Sequence, residues 1–309
     1  MPTPNHAGSK KDTKGSTATQ EPTAGASAPT SGSTGLATAP PPKASGLAVS
    51  TYDAEDEGAG LENVTQEELA VPFVVILQKG SPQCEEGNPR AIPGAKPGML
   101  MNTVSQKLYD GKEGIRFIPV HRDRNYIEWI PRDDGGGFVG VYRPESKEVK
   151  DAIKAAGRRF GKLKVGDNND LVETCSLFGL LLAPDGSFER VIIAFSSTQI
   201  AIYKRIVTNA QSVQLAGEDG RTVVPPLFAH IWRLTTEFFT KKNYTWYKWN
   251  DNWDGADAAA ARIERDHPLF IASKAFRHML LSGAAAAAYE STTQEPHEPG
   301  ADAEPGYGM

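Results

Sequence analysis

The stretch CSLFGLLLAPDGSFERVIIAF, residues 175–195, decides the fold class. Two apolar runs, 175–183 and 188–195, flank Pro184-Asp185-Gly186-Ser187, a set of turn formers, so the segment reads as a β-hairpin. Working outward, VPFVVILQ (71–78) is a continuous β-branched run of the buried-strand type, followed by a breaker-rich loop over 80–98. The segments 99–108, 114–121 (GIRFIPVH), 125–131 (NYIEWIP) and 138–143 read as strands. On the C-terminal side, 227–236 and 244–249 read as two more around Lys241-Lys242-Asn243. Pro144, with Glu145 and Glu148 behind it, is expected to open a helix running to Gly157. Ile200, Tyr203, Ile206 and Val207 fall at helical spacing within 197–210. The segments 256–265 and 268–282 read as helices parted at Pro268. The expected class is therefore α+β and β-dominated: a small oligonucleotide-binding-like barrel with a few peripheral helices. A generic β-sandwich fits nearly as well.

The chain has 309 residues, of which 39% are hydrophobic, a low fraction for a fully packed protein of that size. Residues 1–60 are Gly, Ser, Thr, Ala and Pro with almost no large apolar side chains, and are expected to form a disordered arm. A single β-rich domain is expected over 61–283, and an acidic disordered tail over 284–309. No apolar run approaches the length that spans a bilayer, and MPTPNHAGSKKDTKG at the N-terminus lacks the apolar stretch of a secretory signal. Cys84 and Cys175, far apart, exclude a disulfide scaffold and a paired-cysteine metal site. A reducing cytoplasm is expected.

The formal charge of −5 hides a distribution. Residues 51–70 carry seven acids and no base, and residues 284–309 carry five acids and no base. Residues 71–283 hold 29 Lys and Arg against 24 Asp and Glu, a net +5. Acidic flanks serve solubility; they also suit a body that binds polyanions while its tails compete for the same surface.

Catalytic patterns are absent: there is no phosphate-binding glycine loop, zinc-protease helix motif, serine-hydrolase elbow or EF-hand loop. The six histidines stand apart, and His278, beside Arg277, reads as a surface or partner contact. Asp167, Asp170 and Glu173 have the chemistry to hold a divalent cation, as in a nuclease, but sit in a Gly-Asp-Asn-Asn-Asp context typical of a solvated turn. Cys84 beside Glu85-Glu86 is poorly placed to ionise. No enzyme, metal or cofactor is expected.

What the body does offer is bases interleaved with aromatics, the composition that holds single strands by phosphate contacts and base stacking. Four stretches qualify. They supply the candidate nucleic-acid-binding residues Arg122, Arg124, Tyr126 and Trp129; Arg158, Arg159, Lys162 and Lys164; Lys204 and Arg205; and Lys241, Lys242, Tyr244, Trp246, Lys248 and Trp249. The last stretch, FFTKKNYTWYKWNDNW (238–253), is expected to bury most of its rings and expose at least one.

The block at 71–78, Ser81-Pro82, Gly94-Ala95-Lys96-Pro97-Gly98, Asn102-Thr103 and 114–120 resembles the single-stranded DNA-binding proteins of tailed bacteriophages. So does the later series Ser196-Ser197-Thr198-Gln199, Pro225-Pro226-Leu227-Phe228 and Trp246-Tyr247-Lys248-Trp249. The resemblance covers roughly 61–282 and implies an oligonucleotide-binding barrel, single-stranded DNA as partner and a role in phage replication or recombination. It also implies that the acids of 290–304 contact phage replication proteins, although Tyr307 is the only aromatic near the tip of the tail. The alternative is a virion structural or assembly protein that uses the aromatic hairpin and the N-terminal arm for protein–protein contacts. The oligomeric state stays open.

Overall fold

The computed structural model describes residues 70–157, 163–241, 244–283 and 286–287. It opens with β1 (Ala70–Val71), β2 (Val74–Ile76), β3 (Leu100–Asn102) and β4 (Leu108–Tyr109). Then come β5 (Ile115–Ile130), β6 (Gly137–Tyr142), α1 (Lys147–Ala156) and β7 (Leu163–Val165). The middle holds β8 (Asn169–Leu182), β9 (Phe188–Ser196), α2 (Ile200–Ser212), β10 (Leu215–Ala216) and β11 (Thr222–Val223). The chain continues through β12 (Trp232–Lys241), β13 (Tyr244–Trp253), α3 (Pro268–Ser282) and β14 (Ala286–Ala287). The protein is thus α+β with strand dominating, as expected.

Seven strands form the main sheet, in the order β13-β12-β5-β8-β7, with β6 also on β5 and β9 also on β8. Its spine is the antiparallel pairing of β5 with β8, which runs from Arg116↔Leu182 to Trp129↔Asp170. The register shifts between Pro119 and His121, leaving Val120 as the extra residue of a bulge. The β8–β9 hairpin closes on Pro184-Asp185-Gly186-Ser187, where Gly186 has a φ of 86° that the turn requires. Among the described residues the strand pairing does not close into a barrel.

Apolar side chains pack on both faces. On one, Phe117, Leu177, Ile193, Phe195, Trp232 and Trp249 pack against Ile202, Tyr203 and Ile206 of α2. On the other, Ile118, Leu180, Ile192 and Phe228 pack against Phe276 of α3. A third group joins Val149 and Ala152 of α1 to Tyr126 and Leu171. The outer edge of β13 is covered: the Gln78 side chain donates to the Tyr247 carbonyl at 2.8 Å and accepts from its N–H at 2.9 Å, and Gln199 accepts from the Trp249 N–H at 3.2 Å.

Several local expectations are corrected. The strands expected at 114–121 and 125–131 are one continuous β5, because Arg122, Asp123 and Arg124 pair with Leu177, Ser176 and Cys175 without a turn. The strand expected at 99–108 is the β3–β4 hairpin, since the Asn102 side chain accepts from the N–H groups of Val104 and Ser105 and turns the chain. The first helix starts at Lys147, capped by Ser146, three residues after Pro144. The strand expected from 227 begins at Trp232, because Leu227–Ala229 is a 3-10 turn. The segment 256–265 is not a helix: Ile231 N–H donates to the Ala261 carbonyl and Ile263 N–H to the Ala229 carbonyl, which draws the chain out beside 229–231. Helix α3 matches its expectation and ends at Gly283, whose φ of 77° is left-handed. Of the residues expected to be disordered, 1–60 and all but Ala286 and Ala287 in 284–309 lie outside the described residues; those two form β14, parallel to β1.

Opposite Pro119, Gly179 lets the two long strands close up: a Cβ there would stand 2.2 Å from the Ile118 carbonyl oxygen and 2.4 Å from the Phe117 ring. Gly179→Ala is expected to lower stability by about 1–3 kcal/mol in urea unfolding. Gly80→Ala, with open space around it, is expected to be near neutral in the same assay.

Candidate functional site

Strand β5 has β8 along one edge, but its other edge is only partly covered. Strand β12 pairs with residues 115–117 and β6 with residues 126–130. Among the described residues, the interval 118–125 carries no strand on that side. A cleft of about 880 Å³ opens along this interval. Its floor is Val120 to Arg124 of β5, and one wall is the turn Pro226-Leu227-Phe228 with Tyr203 of α2. The other walls are Arg143-Pro144-Glu145, leading into α1, and Lys274, Arg277 and His278 of α3. Positions 274, 277 and 278 share one helix face by their i, i+3, i+4 spacing.

The cleft gathers Arg122, Arg124, Arg143, Lys274 and Arg277 against Asp123 and Glu145. Two of these cations are already matched. Arg143 Nη1 donates to Asp123 Oδ1 at 2.8 Å, and Arg124 Nε donates to Glu173 Oε1 at 2.8 Å. Arg122 stands near the Tyr203 hydroxyl, a neutral group, on the wall of the cleft. Among the described residues, no carboxylate lies within ion-pair distance of Arg122, Lys274 or Arg277. Burial holds the His121 imidazole below its ordinary 6.5; Asp123 works against this, while Arg277, Arg122 and Arg143 add to it. Like charges that depress a histidine mark a site of positive potential, and an anion there relieves the repulsion.

Of the residues singled out from the sequence, Arg122 and Arg124 line this cleft. Lys204 lies exposed on α2, next to Tyr203. Other expected phosphate contacts are internal ion pairs: Arg205 Nε donates to buried Asp251 Oδ1 at 2.8 Å, and Lys164 Nζ stands 2.6 Å from buried Asp170 Oδ1. Tyr126, Trp129, Trp246 and Trp249 were expected to stack bases, but each ring is buried. Trp129 packs edge-on to Phe138 at 5.9 Å, Trp249 lies 6.4 Å from Phe195, and Trp246 lies 4.9 Å from Phe239. Neighbouring strands and helices close over both faces there, so aromatic content becomes core. Tyr244 (49% exposed) and Phe238 (56%) are the exposed rings that the 238–253 stretch was expected to show. Lys248 sits 4.4 Å over the Phe239 ring and 3.5 Å from Glu237, and Lys241 is half-buried. Arg158, Arg159, Lys162 and Lys242 lie outside the described residues.

The hairpin end and the cleft are far apart. Strand β12 runs antiparallel to β5 and leaves it at Leu234↔Ile115, so Tyr244 stands roughly 45 Å from Arg122 measured along the strands, at about 3.3 Å per residue. The sequence reading did not include Arg143, Lys274, Arg277 or His278 among the binding residues. The helical spacing of the last three was the available signal, but which face of α3 meets β5 is set by the apolar packing around Phe276.

The acids considered for a divalent cation are committed elsewhere: Asp170 to Lys164 and Glu173 to Arg124. Among the described residues, no group of three or more His, Cys, Asp or Glu is placed to hold a metal. No described helix is long and apolar enough to cross a membrane. The Cys84 thiol is pushed up, by burial first and by Glu85 second, and burial pushes Cys175 to about 11.

The architecture is that of a β-dominated α+β protein with a basic cleft at an uncovered strand edge. A family model described as Pam3 phage gp34-like protein matches residues 42–286, so the chain belongs to that family of phage proteins. No curated protein and no solved structure matches it.

Two outcomes follow from the site chemistry. By NMR, His121 is expected to titrate with a midpoint below 6.5 in the free protein and to move upward when an anion fills the cleft. Anion affinity then grows as pH falls through the free-protein midpoint; a midpoint at or above 6.5 contradicts the buried, cation-flanked setting of His121. Iodoacetamide at pH 8 is expected to leave Cys175 unmodified in the native protein and to label it after unfolding.

Proposed function

We propose that the protein binds single-stranded DNA with little sequence preference, as a non-catalytic accessory of phage replication or recombination acting in the host cytoplasm. The observation that carries this reading is the cleft, which Arg122, Lys274 and Arg277 line with no carboxylate partner among the described residues. Such cations neutralise phosphates and release counterions. A notch of about 880 Å³ is of the size of a few nucleotides of one strand. Lys204 extends the positive surface along α2. Tyr244 and Phe238 supply ring faces at the hairpin end, a separate contact for a longer strand. On this reading the sheet is an opened variant of the oligonucleotide-binding barrel, with long β5 and β8 shared between its two halves. The acidic tail recruits replication partners.

A second reading, a virion structural or assembly protein, is favoured by one specific feature. Strand β6 is an edge of sequence GFVGVY with no charge, no proline and exposed Val139 and Val141, so it is open to pairing with another chain. Recovery of the protein in stoichiometric amounts from purified particles would support that reading.

Binding to a labelled oligo-dT is expected to weaken steeply with salt, and duplex of equal length is expected to compete poorly. Arg122→Ala and Arg277→Ala are each expected to weaken binding several-fold and to lower the salt slope by about one unit. Lys112→Ala, in the turn that precedes β5, is expected to change neither. Negligible binding at low salt, or equal competition by duplex, contradicts the proposal.

A further inference from the structure

We propose that the acidic stretch 53–57 of this same chain occupies the basic cleft when no other polyanion is bound. The cleft presents Arg122, Lys274 and Arg277 without carboxylate partners among the described residues, a setting that suits a polyanionic segment. The stretch supplies Asp53, Glu55, Asp56 and Glu57, four carboxylates in five residues, and no base lies between 51 and 70. Charge of that density is what the cluster can take up without bringing in a cation of its own.

Reach is sufficient. Val71 belongs to the core group that contains Val120 and Phe228, and both of those line the cleft. Twelve residues lie between Glu57 and Ala70, thirteen steps of chain that span up to about 43 Å when extended. A tethered partner at this range acts at an effective concentration in the millimolar range. The shape of the site also suits a peptide. Residues 118–125 of β5 present a strand edge with no strand on it among the described residues, and an extended acidic segment can lie along it between the basic walls.

The C-terminal tail is the other acidic segment, and it is the poorer occupant. Its five acids are spread over 290–304, interrupted by Pro296 and Pro299. The family match spans 42–286, so it takes in the 53–57 stretch and leaves the tail out. The proposal rests on reading the cleft as a polyanion site, but not on DNA being its ligand.

The test compares heparin affinity at low salt for three full-length proteins. One is the wild type, one carries D53N/E55Q/D56N/E57Q, and one carries E290Q/E295Q/E298Q/D302N, an equal change of net charge. The first variant is expected to bind heparin about tenfold tighter than wild type, and the second less than about twofold tighter. In the wild type, carbodiimide coupling followed by peptide mass spectrometry is expected to join Lys274 to a carboxylate of 53–57. Equal tightening by both variants shows a bulk-charge effect and overturns the proposal, as do unchanged heparin affinity in the first variant and coupling of Lys274 only to tail carboxylates. If these results hold while oligo-dT fails to bind any of the three, the docked segment stands and the DNA reading falls. If oligo-dT binds all three equally, the DNA reading stands and the docked segment falls.

Discussion

The antiparallel pairing of β5 with β8 is the constraint on which the rest of the molecule hangs. Each long strand serves partners at both ends: β12 and β6 on β5, β9 and β7 on β8. Residues directly opposite across the ribbon share a face, so the bulge at Pro119/His121 redirects side chains. Before it, Phe117 stands with Leu181 on the face packed by α2; after it, Arg122 stands with Leu177 on that same face. His121 and Asp123 turn to the face of Phe178, towards α3. Had Val120 paired in register instead of bulging, the arginines would point where the histidine now does. The uncovered edge and the cations that line it are thus two consequences of one strand being longer than either of its edge partners can cover.

Much of the body's positive charge is structural. Arg205 holds buried Asp251, Lys164 holds buried Asp170, and Arg116 and Arg233 converge on Asp254, whose carboxyl their bonds keep below the usual range against the cost of its burial. Removing one partner from such a set leaves a desolvated charge, so these pairs resist substitution whatever the protein binds. The cations available to an external ligand are consequently few and local, and they lie on three different elements that meet only in the folded chain.

The sequence was most legible where local rules act alone. Pro184-Asp185-Gly186-Ser187 made the hairpin plain, and Gly283 marked the end of α3. It was least legible where tertiary contacts decide. Arg122-Asp123-Arg124 fell between two expected strands because it is polar, yet no Gly or Pro lies between Pro119 and Pro131, and the polarity reflects an open edge. The Ala-rich segment at 256–265 carries helix propensity that two backbone bonds to 229–231 override. Aromatic density at 238–253 marked a packed hairpin and left only its end exposed. Half of the cleft was visible in Arg122 and Arg124. The other half, on α3, lies 150 residues away and is joined to it by packing that no short-range pattern encodes.

The central claim is that the uncovered edge of β5 and the basic face of α3 form one polyanion site. Amide hydrogen exchange with and without saturating oligo-dT tests it most directly. Slowed exchange confined to peptides covering 118–125 and 272–280, with 98–113 unchanged, is the predicted result. Slowed exchange at the end of the β12–β13 hairpin with none along 118–125 would contradict it.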